Sequence, residues 1–161
     1  MAQHGGFWRR VLAYVIDTII LTLVGGIISS LFLGSAAGLT SLTPSADQTT
    51  LLTGAMIGVQ SISFVINWLY FAILESSSMQ GTLGKKALGM IVTDLDGQRI
   101  GFGRATGRYF AKFLSAIILL IGFIMVAFTE RKQGLHDLIA GTLVYKAGSS
   151  SEMNTSAAVF E

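Results

Sequence analysis

The hydrophobic residues of this chain gather in three long runs instead of alternating with polar residues. The runs cover roughly residues 11–33, 51–74 and 106–128. A helix needs about 20 apolar residues to cross a bilayer, so each run is long enough to span a membrane. The first run also exceeds the roughly 7 to 15 apolar residues of a signal peptide, and we interpret it as retained. The pattern predicts an all-α membrane protein with a small bundle of about three transmembrane helices.

The polar segment after the second run has a different pattern. The stretch GMIVTDLDGQRIGF alternates apolar and polar residues around Asp96 and Gly97, a dipeptide that favours the tight turn of a hairpin. It predicts a short cytoplasmic β-hairpin. Asp94 and Asp96 could form a cation site, but acidic residues beside a turn glycine more often stabilise the turn itself, and we favour that interpretation.

The C-terminal part of the chain lacks a further span. LHDLIAGTLVY, residues 135–145, is too short to cross a bilayer and is predicted to be a short interfacial segment. The tail AGSSSEMNTSAAVFE, residues 147–161, is predicted to be disordered because it is small and polar. We therefore expect one membrane domain over residues 5–146 and no separate soluble domain.

Composition supports the membrane class and excludes others. Hydrophobic residues make up 52% of the chain and charged residues 12%, against about 25% charged in an ordinary soluble domain. The absence of cysteine excludes disulfides and thiolate metal sites. A formal net charge of +2 is too small to indicate nucleic-acid binding, and the lipid bilayer is the expected partner.

The positions of lysine and arginine predict the orientation in the membrane. Basic residues precede the first run and follow the second, whereas the loop between these runs has none, so we expect a cytoplasmic N-terminus. Three simple crossings would put the C-terminal segment outside, yet Arg131 and Lys132 follow the third run directly. We expect a simple third span. The alternative is a re-entrant hairpin that turns back near Gly122, which requires cover for its freed backbone groups.

A carboxylate within the first run is the main candidate for function. Arg10 and Asp17 are seven residues apart, which puts them on nearly the same helix face about 10 Å apart. A charge near the centre of a span costs roughly 2.5–3.5 kcal/mol and often marks an ion or proton path. The alternative is a structural clasp between Arg10 and Asp17. Gln60 and Asn67 on the second run share a face, and Asn67 reaches a depth similar to that of Asp17.

Small residues on the second run indicate a helix-packing surface. Gly54, Gly58 and Ser61 form a ridge of the GxxxG type, which lets another helix approach closely, either in this chain or in a partner. Because three spans enclose little interior, an aqueous path would need a second copy or another membrane subunit, and we expect an oligomer. Lys85 and Lys86 are expected to contact anionic headgroups, at about 1 kcal/mol each.

His136 and Asp137 stand at the start of the last apolar segment. His136 could handle protons near neutral pH, with the adjacent carboxylate tuning it. We favour the alternative that Asp137 caps the segment or pairs with Arg131 or Lys132. The two histidines of the chain form no metal-ligand pattern, and we expect no metal, no cofactor and no enzymatic activity.

Three blocks, in order, carry a family resemblance: GFWRRVLAYVIDTIIL, GTLGKKALGMIVTDLDG and RKQGLHDLIAGTLV. Together they resemble the RDD family of small bacterial membrane proteins, over about residues 5–146. The family is named after an arginine and an aspartate in the first helix and a later aspartate, which correspond to Arg10, Asp17 and Asp137. If the third run is re-entrant, Asp137 and Arg10 share the cytoplasmic side, and the three residues could form one ion-binding or structural polar cluster. The resemblance implies a multi-pass protein of the bacterial inner membrane. The family is mostly uncharacterised; transport of unidentified ligands has been proposed for it and sodium/proton exchange suggested within it.

Two functional hypotheses follow. The first, which the sequence favours, is a small transporter or transporter component, with exchange of a monovalent cation for protons as its specific form; in it Asp17 is the intramembrane carboxylate and Arg10 sets its charge state. The second is a non-transporting membrane subunit or assembly factor, in which the arginine and the aspartates form a structural clasp.

Overall fold

Two long apolar helices dominate the computed structural model, which describes residues 4–42, 48–117 and 121–147. Helix α1 covers Phe7–Leu42 and helix α2 covers Gln48–Ser76. Among the described residues, these two helices are long and apolar enough to cross a membrane. Within their most apolar stretches only 11% of the residues of α1 and 17% of those of α2 are buried. Most of their surface is therefore available to lipid or to other membrane proteins.

The chain forms two compact units. One unit consists of residues 18–69, which make up most of α1 and of α2. The other contains the chain through Asp17 and again from Tyr70 onward, and it holds all of the shorter elements. These are α3 (Leu83–Ala87), β1 (Met90–Asp94), α4 (Phe102–Ile117), α5 (Ile121–Phe128), α6 (Leu135–Ala140) and β2 (Thr142–Lys146).

Strands β1 and β2 form an antiparallel sheet although about fifty residues separate them. Met90 pairs with Lys146 and Val92 with Val144, and both valines are fully buried. The N-terminus joins the same sheet, because the Gly5 N–H donates to the Val144 carbonyl at 2.8 Å. The sheet thus holds together the N-terminus, the segment after α2 and the last described segment.

The prediction of a β-hairpin is wrong in one respect: its first strand, β1, pairs with β2 and not with the segment after the turn. After β1 the chain makes the expected turn, with Gly97 at a φ of 77°, but pairs back only through one bridge between Thr93 and Arg99. The ladder goes to β2 because that pairing buries Val92, which a two-stranded surface hairpin would leave exposed. The predicted interfacial segment at residues 135–145 contains α6 and most of β2.

The turn after β1 agrees with the interpretation that its acidic residues stabilise the turn. The Asp94 carboxylate accepts hydrogen bonds from the backbone N–H groups of Asp96 (3.1 Å) and Gln98 (2.8 Å). It also lies 3.3 Å from the guanidinium of Arg104. These contacts confirm that Asp94 stabilises the turn.

The third apolar run is divided between α4 and α5, and residues 118–120 between them lie outside the described part. Helix α5 packs against α4, and α6 packs against α4 as well. Helix α4 is strongly amphipathic. Its inner face is formed by Ala105, Arg108, Tyr109, Ala111 and Ser115, all buried, while its outer face exposes Phe102, Phe110, Phe113 and Leu114. The described part of the third run therefore consists of two helices in contact and not of one continuous helix, and the way this run meets the membrane stays a prediction.

The predicted disordered tail, residues 147–161, lies outside the described residues apart from Ala147. The Ala147 N–H donates to the Gly89 carbonyl at 2.6 Å and so extends the edge of the sheet.

Candidate functional site

Asp17 is buried and is held by three neutral donors. Its Oδ1 accepts hydrogen bonds from the Tyr70 hydroxyl at 2.7 Å and from the Gly84 N–H at 2.8 Å. Its Oδ2 accepts one from the Thr82 hydroxyl at 2.5 Å. Thr82 also caps the N-terminus of α3, so the chain after α2 folds onto α1 at this carboxylate. The predicted direct partnership between Asp17 and Arg10 is wrong.

Gly84 is the point of closest approach between α3 and α1. A Cβ atom at this position would lie 2.2 Å from the Ala13 carbonyl oxygen and 3.0 Å from Cγ of Asp17. Only glycine lets the backbone come near enough to donate its N–H to the carboxylate. Ala13, the small residue that the sequence places between Arg10 and Asp17, leaves room for α3.

Arg10 connects the start of α1 to the segment around α6. One guanidinium nitrogen forms an ion pair with Asp137, and a second donates to the Lys132 carbonyl at 2.6 Å. Its Nε donates to the Gly5 carbonyl at 2.9 Å. Arg10 therefore ties together the N-terminal strand segment and two positions more than 120 residues further along the chain.

Asp137 has no exposed surface and lies between two arginines. Besides Arg10 it contacts Arg108, whose guanidinium lies 2.5 Å from Oδ1. Burial alone would raise the pKa of the Asp137 carboxyl, but Arg108 and Arg10 hold that pKa well below its usual range. The carboxylate also accepts the Gly134 N–H at 3.1 Å, which confirms the predicted capping role. The predicted pairing with Arg131 or Lys132 is wrong, because the returning chain brings Asp137 to Arg10 and Arg108.

Glu75 is a buried carboxylate like Asp17 and Asp137, and it was not predicted from the sequence. It lies at the end of α2, 2.6 Å from the Lys85 ammonium and 3.4 Å from the Arg108 guanidinium. Lys112 is 3.9 Å away. Arg108 therefore bridges Glu75 and Asp137. We call this group the ionic cluster; its members are Arg10, Glu75, Lys85, Arg108, Lys112 and Asp137.

Lys85 does not have the predicted headgroup contact. Its side chain is buried against Glu75, because the Gly84 contact pulls the first turn of α3 onto the ends of α1 and α2. Burial lowers the pKa of Lys85 to about 7, and the nearby Arg108 lowers it as well, whereas Glu75 opposes the shift. Lys86 is exposed, and its expected contact with headgroups stays a prediction.

His136 lies beside Asp137, with Nε2 3.4 Å from the carboxylate. Burial lowers the pKa of His136 to about 3; Asp137 opposes this shift and Arg108 adds to it. Burial thus favours a neutral imidazole at physiological pH, which argues against the alternative, not favoured from the sequence, that His136 handles protons near neutrality.

The predicted polar and small residues of α2 belong to the other compact unit. Asn67 donates to the Ser63 carbonyl at 2.9 Å within its own helix, and Gln60 is exposed. In the ridge, Gly58 faces the ring of Phe32, 3.4 Å from where a Cβ would be. The ridge residues Gly54 and Ser61 are both exposed, and Ser61 donates to the Ile57 carbonyl at 2.9 Å. Asp17 has its donors at Tyr70, Thr82 and Gly84 instead of at these positions.

The chemistry open to the ionic cluster is limited by its composition. It contains four cationic side chains and two carboxylates, and each carboxylate already contacts at least two cations. Over the described residues, no group of three histidines or acidic residues is placed to hold a metal ion. The arrangement favours the binding of anions and the joining of distant segments.

The sequence contains a weak signal for the cluster residues that were not predicted, namely Glu75, Arg108 and Lys112. Arg104, Arg108 and Lys112 recur every fourth residue, which puts them on one stripe of a helix inside an otherwise apolar run. Glu75 is the first acidic residue after the second apolar run. These signals are enough to suggest an ion pair between the cationic stripe and Glu75. They do not show that the pair would be buried.

Comparisons with known proteins agree with this description. The model of the RDD family matches residues 4–141. YxaI, an uncharacterized protein of Bacillus subtilis, is 45% identical over 152 residues, which cover 91% of this chain and 100% of YxaI. YteJ, an uncharacterized membrane protein of the same organism, is 30% identical over 88% of this chain and 80% of its own length. A proline-rich antigen of Mycobacterium leprae is 30% identical over 85% of this chain and 59% of its own length.

No solved structure matches the chain. The two long apolar helices and the relatives identify a membrane protein, and the chain belongs to the RDD family.

Proposed function

We propose that this protein is a non-transporting membrane subunit or assembly factor, in which the three residues of the family name act as a structural clasp. The ion pair between Arg10 and Asp137 carries the proposal, because it joins the first helix to a segment 127 residues away. Asp17 secures α3 onto the same helix through three neutral donors. Both aspartates are thus engaged by the protein itself, which leaves little reason to assign either of them to a passing cation.

The sheet supports a membrane topology for this clasp. A bilayer cannot divide a hydrogen-bonded sheet, so Gly5, β1 and β2 lie on one side of the membrane. Helices α1 and α2 then cross once each, and the α4–α5 pair enters and leaves on the side of the sheet as a re-entrant hairpin. The outer face of α4 exposes Phe110 and Phe113, which suits contact with lipid. The positive-inside rule assigns the sheet to the cytoplasm of the bacterial inner membrane.

The long helices supply the surface for a partner. From Thr18 to Leu42, α1 is about 37 Å long at 1.5 Å per residue, which exceeds the roughly 30 Å of hydrocarbon. Most of the apolar surface of both helices is exposed, and a Cβ added at the ridge residue Gly54 would meet no atom within 4 Å. A second copy or another membrane subunit could pack there, as the small-residue pattern allows.

A second candidate, exchange of a monovalent cation for protons, is favoured by one observation. Lys85 is buried against Glu75 and its pKa lies near 7, so it could gain and lose a proton at physiological pH. Exchange would also need a path across the membrane, and two thin spans with a hairpin would require a partner to enclose it.

Flux measurements separate the two candidates. The purified protein is reconstituted in vesicles, and internal pH is followed after a jump in sodium or potassium. The clasp proposal expects no flux above that of empty vesicles. Flux that disappears with Asp17→Asn or Lys85→Met would instead support exchange and overturn the proposal.

A double-mutant cycle tests the clasp directly. Because Arg10 and Asp137 form a buried pair, Arg10→Gln and Asp137→Asn should each lower the free energy of unfolding by about 3–5 kcal/mol. The double variant should lose roughly 1–3 kcal/mol less than the sum of the two losses. The pair of Arg104 and Asp94, whose arginine is exposed, is the control and should couple by about 0.2–1 kcal/mol. Equal coupling in the two cycles would contradict the clasp.

A further inference from the structure

The ionic cluster contains more positive than negative charge. Four cationic side chains face two carboxylates, Glu75 and Asp137. The carboxylate of Asp17, also buried, is bound by hydroxyl groups and a backbone N–H; among the described residues it forms no ion pair with these cations, although its charge acts on Lys112 from a longer distance. Uncompensated charge in a region of low dielectric constant is costly, so the cluster favours an additional anion.

Among the cations of the cluster, Lys112 has the weakest contact with the carboxylates. Its ammonium is 3.9 Å from Glu75 Oε1, beyond hydrogen-bond distance, and Lys85 holds the same oxygen at 2.6 Å. The ammonium instead lies 3.9 Å from the centre of the Phe71 ring. In the part of the chain that the structure describes, Nε of Arg108, one turn earlier on α4, has no hydrogen-bond partner although its side chain is 1% exposed. Both groups can therefore donate to a further acceptor.

The surroundings of Lys112 indicate how a ligand would reach it. The Lys112 side chain is 19% exposed, which makes it the most accessible cation of the cluster. On the outer face of α4 its neighbours Phe110 and Phe113 are about half exposed. A ligand that has an acidic group and an apolar chain could contact both the Lys112 ammonium and the exposed phenylalanine rings.

We propose that Lys112, with Arg108 behind it, binds a phosphate group, and that anionic phospholipid is its principal source. A phosphate oxygen accepts hydrogen bonds from both an ammonium and a guanidinium, and charge-assisted bonds of this kind are strong. Phe110 and Phe113 would lie along the acyl chains of the lipid. The inference rests on the proposed topology, which brings α4 into the bilayer, and it extends the role of the cluster from joining segments to binding lipid.

Thermal unfolding of the full chain in nanodiscs tests this site. The protein is placed in discs of phosphatidylcholine alone, in discs that also contain phosphatidylglycerol, and in phosphatidylcholine discs titrated with inorganic phosphate. The variant Lys112→Met removes the charge and keeps the length of the side chain. The control Lys86→Met removes an exposed lysine of α3 outside the cluster.

We expect phosphatidylglycerol to raise the midpoint of unfolding by roughly 2–4 °C in the wild type and in Lys86→Met, and to have no such effect in Lys112→Met. A rise with inorganic phosphate but not with phosphatidylglycerol, again lost in Lys112→Met, would support the phosphate site and assign it to the free ion. If neither phosphate source raises the midpoint, or if Lys112→Met responds like the wild type, the proposal is overturned.

A second measurement covers the case in which Lys112→Met does not fold. Native mass spectrometry of the wild type, released from mixed discs, should retain phosphatidylglycerol several-fold more than phosphatidylcholine; equal retention would overturn the lipid assignment. The readouts stay distinct from those of the clasp. Coupling between Arg10 and Asp137 is measured in phosphatidylcholine alone, so a missing clasp and a missing phosphate site give different results.

Discussion

Gly84 determines how closely α3 approaches α1, and the absence of its side chain lets Asp17 accept a backbone N–H. The same contact brings Lys85, the next residue, to the buried carboxylate of Glu75. A single position without a Cβ therefore connects the hydrogen-bonded aspartate to the ionic cluster. The site therefore depends on the close approach of the α3 backbone to α1 as much as on charged side chains.

Replacing Gly84 by alanine should be destabilising, because the new methyl group would overlap the Ala13 carbonyl oxygen at 2.2 Å. Overpacking of this kind costs about 1–3 kcal/mol or more. The control is Gly103→Ala in α4, where a Cβ meets no atom within 4 Å and alanine favours the helix. Chemical unfolding in detergent measures both changes. A Gly84→Ala variant as stable as Gly103→Ala would show that α3 does not pack on α1 in this way.

His136 should make stability dependent on pH below neutrality. Its pKa is about 3 in the folded protein and about 6.5 in the unfolded chain, so between these values only the unfolded chain takes up the proton. Lowering the pH from 6.5 toward 3 should thus reduce the free energy of unfolding, by at most about 1.4 kcal/mol per pH unit. Above pH 6.5 the effect disappears.

The variant His136→Gln isolates this contribution. Its unfolding free energy, followed from pH 7 to pH 5, should fall less steeply than that of the wild type. His4 is present in both chains and its own pKa is also lowered, so only the difference between the two slopes is assigned to His136. Identical slopes would contradict a neutral buried imidazole.

At the scale of the elements, the two-stranded sheet is what brings the short helices together. Strand β1 precedes α4 and strand β2 follows α6, so their pairing closes the segment that contains α4, α5 and α6. This closure puts Arg108 of α4 beside Asp137 of α6. The sheet and the packing of α6 on α4 together bring Asp137 to Arg108 and so support the ionic cluster.

The two strands should lose protection together. Val92 and Val144 face each other in register and are fully buried, so Val92→Ala or Val144→Ala should cost about 1.5–3 kcal/mol. Either change should speed hydrogen exchange in both strands, measured by mass spectrometry in detergent. Leu95→Ala, in the exposed turn after β1, is the control and should leave both strands protected. Loss of protection in one strand alone would contradict the pairing.

At the scale of the whole molecule, the decisive property is the side of the membrane on which each polar segment lies. One straight helix through the third apolar run would separate β1 from β2 by the bilayer, and the sheet could not form. With α5 packed back on α4, the sheet and the ionic cluster can stay on the side of the N-terminus. The proposed topology, clasp and lipid site all depend on this return of the chain.

Labelling of single cysteines tests the topology, since the chain has no cysteine of its own. Cysteines at Asp96 and Lys146, which flank the α4–α5 pair and are exposed, should react with a membrane-impermeant maleimide from the same side. A cysteine at Gln48, the exposed first residue of α2, should react only from the other side. Intact cells and inverted vesicles provide the two directions. Labelling of Asp96→Cys and Lys146→Cys from opposite sides would establish a simple third span.

Several features could be predicted from the sequence because they depend on neighbouring residues. The length and hydropathy of the first two apolar runs are enough to predict α1 and α2, since partition into lipid is nearly additive along a helix. The turn at Asp94 and the cap at Asp137 were predictable for the same reason, because each bonds to a backbone N–H within four residues. The family residues Arg10, Asp17 and Asp137 were identified by their motifs.

Only the tertiary structure decided which partners these residues have. Asp17 was matched to Arg10 by helical spacing, but α3 supplies its donors from 67 positions away, and Arg10 turns to Asp137. The burial of Glu75 and Lys85 could not be predicted from the sequence either, because charged residues that follow an apolar run usually face lipid headgroups. Hydropathy and capping act over a few residues, whereas the choice of an ion pair depends on which distant segments return to one another in the fold. That return is determined here by the β1–β2 pairing and by the packing of α5 on α4.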